Sequence, residues 1–170
     1  MTPRFELRFP LRKIEPYARL YPDEDETILS MTASVRKRRF LTKEEFLAVC
    51  SWKSPRTQPR CQSNSSEFIR DVTSCALSTL SEQLRIEVLT LLAGVSWPTA
   101  SVILHFFHRE QYPILDVRAL WSLHCDPPGE YDFPFWESYT RCCRSLAQKA
   151  GVSMRTLDRA LWQYSKENQQ

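Results

Sequence analysis

Apolar residues recur along this chain at intervals of three and four, not in alternation, which is the pattern of amphipathic helices rather than half-buried strands. The first periodic stretch predicts a helix from about Glu24 to Arg38, with Ile28, Leu29 and Val35 facing inward. Thr42 followed three residues later by Glu45 forms a capping box, and the helix it opens carries Phe46, Leu47 and Cys50 inward and stops before Pro55. Ser51 to Ser66, with Pro55, Pro59 and many Ser, Asn and Gln residues, reads as a loop. Asn64 with Glu67 is a second capping signal, for a helix through about Leu77. Another helix runs from Glu82, after Ser81, to Leu92, where Gly94 ends it; Pro98 suits the first turn of the next, which reaches about His108. Tyr112 to Leu115 is extended and leads into Asp116, placed to cap a helix from Val117 to His124. Asp126-Pro-Pro-Gly129 breaks the chain, and helices over Phe135–Lys149 and Met154–Lys166 flank Gly151 and Ser153. The first 22 residues contain Pro3, Pro10, Pro16 and Pro22 and are expected to wrap irregularly around the core.

The fold class that follows is all-α, a compact helical bundle. With 170 residues, 42% of them hydrophobic, the chain can bury one core, and a single domain over 1–170 is expected, with a hairpin at 82–108 and a C-terminal helical pair at 135–166. Only three glycines are present, too few for a sheet with many tight turns. An aromatic content of 12% argues against disorder. No run of about 18 apolar residues occurs, and no apolar N-terminal stretch ends in a small-residue cleavage site. Cys50, Cys61, Cys75, Cys125, Cys142 and Cys143 are irregularly spaced, with two adjacent, so free thiols in a cytoplasmic setting fit better than a disulfide framework.

Charge changes the picture because it is uneven. Residues 1–70 carry 14 basic and 9 acidic side chains, whereas the remaining hundred carry 9 and 11. The excess centres on Arg36, Lys37, Arg38, Arg39, Lys43, Lys53, Arg56 and Arg60. Such a cluster fits attraction to a phosphate backbone, and it equally fits a solvated helix face.

The most informative stretch is Leu91-Leu92-Ala93-Gly94-Val95-Ser96-Trp97-Pro98-Thr99-Ala100-Ser101-Val102-Ile103-Leu104. Two helices joined by so tight a turn aim the N–H groups at the start of the second helix outward, an arrangement that binds a phosphate without reading sequence. The pattern Leu-x-Gly-Val-x-x-x-Thr-Ala resembles the helix-hairpin-helix of base-excision DNA glycosylases, and Tyr112-Pro113-Ile114-Leu115-Asp116 follows where that superfamily places its essential aspartate. Pro113 to Asp116 is most similar to the adenine-glycosylase branch; the close match covers about residues 84–124.

The resemblance implies that Gly94, Val95 and Ser96 grip the DNA backbone through main-chain groups. It also implies that Asp116 stabilises the positive charge developing on deoxyribose as the glycosidic bond breaks, and helps position or activate the nucleophile. A carboxylate at a helix N-terminus favours the ionised form that such stabilisation needs. Asp116 also reads simply as a helix cap.

Several positions depart from the family pattern. Pro98 stands where bifunctional members carry a Schiff-base lysine, which leaves a monofunctional glycosylase or a non-catalytic relative. Ser96 replaces the second hairpin glycine. Only Cys125, Cys142 and Cys143 follow the aspartate, at the wrong spacings for an iron–sulfur cluster, so none is expected. The interval from Trp52 to Gly94 is shorter than the helical half of a full family member requires, so part of a pocket wall is missing or comes from the N-terminal segment.

Weaker candidates lie elsewhere. Trp52 could stack on a base while Lys53 and Arg56 reach phosphates or a base edge, or Trp52 fills the core. Asn64 and Glu67 read as pocket polarity or as capping. His105 and His108 share a helix face without further ligands at metal spacing, so no metal is expected; Phe106 and Phe107 read as core. Leu146 to Arg159 looks like a helix-turn-helix in which Arg155, Thr156 and Arg159 would face DNA, or like two packed helices.

The expectation is therefore a monofunctional DNA glycosylase acting as a monomer on double-stranded DNA carrying a damaged or modified base, cytoplasmic and nucleoid-associated. It requires no cofactor; the resemblance allows a monovalent cation on the hairpin carbonyls. The alternatives are a non-catalytic DNA-binding protein using the hairpin or the C-terminal helical pair, and a small helical interaction module.

Overall fold

The structure, a computed structural model, describes residues 3–22 and 25–169. In chain order the helices are α1 (Ile14–Leu20), α2 (Glu26–Arg38), α3 (Lys43–Lys53), α4 (Gln58–Gln62), α5 (Ser66–Ser78), α6 (Glu82–Glu87), α7 (Trp97–Phe107), α8 (Val117–Ser122), α9 (Phe133–Ala150) and α10 (Met154–Asn168). Short 3-10 turns occupy Leu11–Lys13, Pro55–Thr57 and Val88–Leu91. The described residues form no strand, and no described helix is long and apolar enough to cross a membrane. Contacts gather in two compact units, Asp23–Glu110 and Met1–Pro22 with Gln111–Gln170.

The Asp23–Glu110 unit is built around α7, where every residue from Thr99 to Leu104, then Phe106 and Phe107, is buried. A helix apolar on all sides belongs at the centre, with its neighbours wrapped around it. Helix α2 turns Ile28 and Val35 inward, seven residues apart and therefore on one face. Leu29, expected to join them, is 50% exposed because it lies about 100° round the helix. The expected first residue of α2, Glu24, lies outside the described residues. The capping box opens α3 as expected: the Thr42 hydroxyl accepts the Glu45 N–H at 3.3 Å and the Glu45 carboxylate accepts the Thr42 N–H at 2.8 Å. Phe46, Val49 and Cys50 are buried and Leu47 is half-buried, so Val49 takes the place expected for Leu47.

The stretch read as a loop contains the Pro55–Thr57 turn and α4. Its prolines occupy the first turn of each, where an N–H has no intrahelical partner, so they start helices instead of breaking them. The cap of α5 is Ser65, whose hydroxyl accepts the Phe68 N–H at 3.1 Å, and not Asn64. Helix α6 starts at Glu82 as expected, with Ser81 as its cap, but it ends at Glu87 and tightens into the 3-10 turn. Val88 and Thr90 are β-branched there, and the Thr90 hydroxyl donates to the Glu87 carbonyl at 2.6 Å, which favours the tighter turn.

In the other unit, α10 packs against α1 and α8. The N-terminal segment is more regular than expected. Pro16 lies in the first turn of α1, where it costs no hydrogen bond. Before that helix, the Glu6 and Arg8 N–H groups donate to the Leu123 and Ser122 carbonyls, both at 2.9 Å. Phe9, Tyr17 and Tyr164 form a ring cluster with centroids 4.5 to 5.2 Å apart. Gly151 ends α9 in the left-handed region at φ 67°, and Ser153 caps α10 by accepting the Thr156 N–H at 3.0 Å.

Candidate functional site

The turn into α7 is held from beneath. Gly94 has φ 84°, a region that side chains disfavour, and an added Cβ would lie 2.6 Å from the Cys61 sulfur, 3.0 Å from the Cys61 nitrogen and 3.2 Å from the Thr57 carbonyl oxygen. The turn thus rests on α4 at a distance only glycine permits. Asn64, buried at the end of α4, clamps it: its Oδ1 accepts the Ala93 N–H and its Nδ2 donates to the Ala93 carbonyl, both at 2.9 Å. Asn64 therefore has neither of the roles its sequence position suggested. Val95 is buried and donates its N–H to the Leu92 carbonyl at 3.0 Å, whereas Ser96 is exposed and begins α7 without a side-chain cap. The Leu92 carbonyl accepts the Val95 N–H and the Ala93 carbonyl accepts the Asn64 amide, so the turn is closed by hydrogen bonds from within the same unit.

The helix segment beneath the turn also carries its flanking charge. Thr57 and Cys61 meet Gly94, and the neighbouring Arg56 and Arg60 are exposed. Lys53 is half-buried at the end of α3. Trp52 is half-buried and sits edge-to-face on Phe106, centroids 5.6 Å apart, so its ring fills space between α3 and α7. The rest of the basic cluster disperses. Arg38 pairs with Glu45 and covers the Phe40 ring, Lys43 donates to the Gln62 carbonyl at 2.8 Å, and Arg36 and Arg39 line a recess at the far end of α7.

Asp116 lies at a second helix start, in the other unit. The extended segment before it is pinned to α9: the Tyr139 hydroxyl donates to the Ile114 carbonyl at 2.7 Å, Tyr112 stacks on Trp136, and Arg144 donates to the Gln111 carbonyl at 2.7 Å. Asp116 is the N-cap of α8, its Oδ1 accepting the Arg118 N–H at 2.9 Å, and its side chain is half-buried. Burial, with the Asp116 charge contributing, raises the Tyr131 hydroxyl above its ordinary range. Tyr139 is raised well above it, chiefly by complete burial. Nothing in the spacing of Tyr131, fifteen residues on and after a Pro-Pro-Gly break, marked it as a neighbour of this carboxylate.

The C-terminal pair does not present the face expected of a helix-turn-helix. Arg155 pairs with Asp158, and Arg155 and Arg159 both lie over the Tyr21 ring, at 5.2 and 5.4 Å. The Thr156 hydroxyl bonds that of Ser153 at 2.9 Å. The surface that would read DNA is engaged with the chain that follows α1. His108 is buried, and its Nδ1 accepts the Glu110 N–H at 3.0 Å; burial and the Arg85 charge lower its pKa to about 4. Among the described residues no group of His, Cys, Asp and Glu is arranged to hold a metal. Comparison with protein-family models, characterised proteins and solved structures finds no match to this chain.

Proposed function

We propose that the chain is a monofunctional DNA glycosylase, with the hairpin as its grip on duplex phosphate and Asp116 as its excision residue. The observation that carries this reading is the Gly94 turn. A left-handed glycine packed on α4 and an asparagine bonded to both the N–H and the carbonyl of Ala93 fix an uncapped helix start against the segment that carries the exposed Arg56 and Arg60. With the Val95 N–H bonded to Leu92 and no N–H on Pro98, the Ser96 and Trp97 N–H groups are the donors that would meet a phosphate diester, backed by the helix dipole, and Arg56 and Arg60 add sequence-independent attraction.

In the reaction, the C1′–N bond breaks with its electron pair leaving on the base, which takes up a proton. Water adds to C1′ and loses a proton. The ionised carboxylate of Asp116 lowers the barrier by facing the positive charge on the sugar and accepting the proton from water. Its half-buried setting strengthens that charge relative to a fully solvated one.

One observation favours a second reading, a non-catalytic DNA-binding protein: the Asp116 carboxylate already accepts the Arg118 N–H, as a structural cap does. A single-turnover assay on a panel of duplexes carrying alkylated, oxidised, mismatched or hypermodified bases separates the two. Abasic sites from the wild type, and none from Asp116→Asn, are expected. Tight binding without excision across the panel leaves the second reading, and the absence of any salt-sensitive DNA affinity overturns both.

A further inference from the structure

At the opposite end of α7 from the hairpin, a recess of about 110 Å³ is lined by Arg36 of α2, Arg39 just past its end, Arg85 of α6, and His108 and Arg109 beyond α7. Eleven helical residues separate the two ends, a rise of roughly 16 Å, so the recess is distinct from the Gly94 turn. We propose that this recess binds a compact phosphate-class oxyanion, a function independent of the glycosylase reading.

Of the carboxylates nearby, Glu82 pairs with Arg85 and Glu110 acts on His108, and four arginines line this one small volume. Local structure accounts for one of them. Arg85 is only 5% exposed, pairs with Glu82 and donates to the Thr79 carbonyl. The ends of α2, α5 and α7 also meet here, and their carbonyl dipoles offset part of the positive charge. Yet the guanidiniums of Arg36, Arg39 and Arg109 enter no hydrogen bond or ion pair among the described residues, with those carbonyls or with any carboxylate. Each offers a planar fork of donors matched to phosphate oxygens, and Arg85 is already fixed in orientation. His108 stays neutral to about pH 4, so the site's charge comes from arginines and persists at neutral pH. The small volume favours a terminal or free phosphate over a diester flanked on both sides by a duplex.

The test titrates the full-length chain with inorganic phosphate at constant ionic strength, balanced with sodium chloride, and follows the melting temperature. A saturable rise is expected. The double variant Arg36→Ser with Arg109→Ser, both exposed positions, should weaken the apparent affinity at least about tenfold, the loss expected when a charge-assisted hydrogen bond is removed. Arg56→Ser with Arg60→Ser, at the hairpin, should weaken duplex binding while changing the phosphate titration less than the recess double variant does. A 5′-phosphorylated single strand compared with its 5′-hydroxyl counterpart identifies the source: a gain from the 5′-phosphate assigns a strand end, and a response to inorganic phosphate alone assigns a free anion. The proposal is overturned if chloride reproduces the effect, if the double variant responds like the wild type, or if the recess variants lose duplex affinity with no change in phosphate response. Loss of excision activity leaves it untouched, and its own failure leaves the glycosylase reading standing.

Discussion

The starts of α7 and α8 are two solutions to the same problem, and they have opposite electrostatic character. At α8 the chain supplies its own anion: Asp116 accepts an N–H of the first turn and leaves a carboxylate at the corner. At α7 no side chain caps the first turn, and the turn is held from below by Asn64 and the close approach of Gly94 to Cys61. An uncapped start invites an external anion, and a self-capped one repels anions and faces cations. The proposed function divides along that line, with phosphate binding at one corner and stabilisation of a sugar cation at the other.

The largest effect that can break this comparison is at Gly94. Alanine there adopts a disfavoured φ and drives its Cβ against the Cys61 sulfur and backbone, so Gly94→Ala should lose about 2–4 kcal/mol in urea denaturation. Gly151 is the control, because it shares the left-handed φ but has nothing within 4 Å of an added Cβ; Gly151→Ala should lose only about 1 kcal/mol. Equal losses at the two sites would mean that the hairpin is not held against α4.

Acid gives a second separation. His108, facing Arg85, Arg109, Glu82 and Glu110, stays neutral in the folded chain to about pH 4, while an unfolded histidine protonates near 6.5. The unfolded state therefore binds more protons between these values, so stability contributed by the neutral ring is present above about 6.5 and lost as the pH falls towards 4. The loss is on the order of 3 kcal/mol at most, reduced by whatever solvent reaches the recess. His108→Gln should flatten the pH dependence of chemical denaturation in that window. An unchanged profile would place the acid sensitivity elsewhere.

Asn64 comes next. Asn64→Ala leaves the main-chain N–H and carbonyl of Ala93 without their partner, at a cost of about 2–3 kcal/mol, and should weaken duplex binding beyond any loss of folded protein. Duplex affinity unchanged at a temperature where the variant is fully folded would show that the clamp serves stability alone.

What the sequence reveals follows from where each element's determinants lie. The capping box at Thr42, the start of α6 after Ser81, the course of α7 with its buried Phe106 and Phe107, and the Asp116 cap are all legible because their partners are within four residues or follow from helical period. The α4 segment is hidden in the sequence because prolines and polar residues look like a loop unless they are known to stand at N1 or N2 of a helix. Asn64 misleads for a related reason. Its local spacing to Glu67 is that of a cap, and its actual partner, Ala93, is twenty-nine residues away. The Arg36, Arg85 and Arg109 recess has the same origin: its arginines come from α2, α6 and the segment after α7, and no local pattern links them.

The smallest effect is at Asp116, and it bears most directly on function. Asp116→Ala removes the acceptor for the Arg118 N–H and should cost about 1 kcal/mol, whereas Asp116→Asn keeps an acceptor oxygen and should lie within a few tenths of the wild type. Denaturation of the two variants reads the cap; single-turnover excision reads the charge. If both variants lose excision while only alanine loses stability, the carboxylate acts on the substrate through its charge, and capping merely holds it in place. If asparagine retains both stability and excision, the corner of α8 is a cap alone and any chemistry belongs to other residues. Tyr131, whose raised hydroxyl already registers the Asp116 charge, sharpens the same test: in Asp116→Asn its titration should shift back towards the ordinary tyrosine range, independently of any DNA substrate.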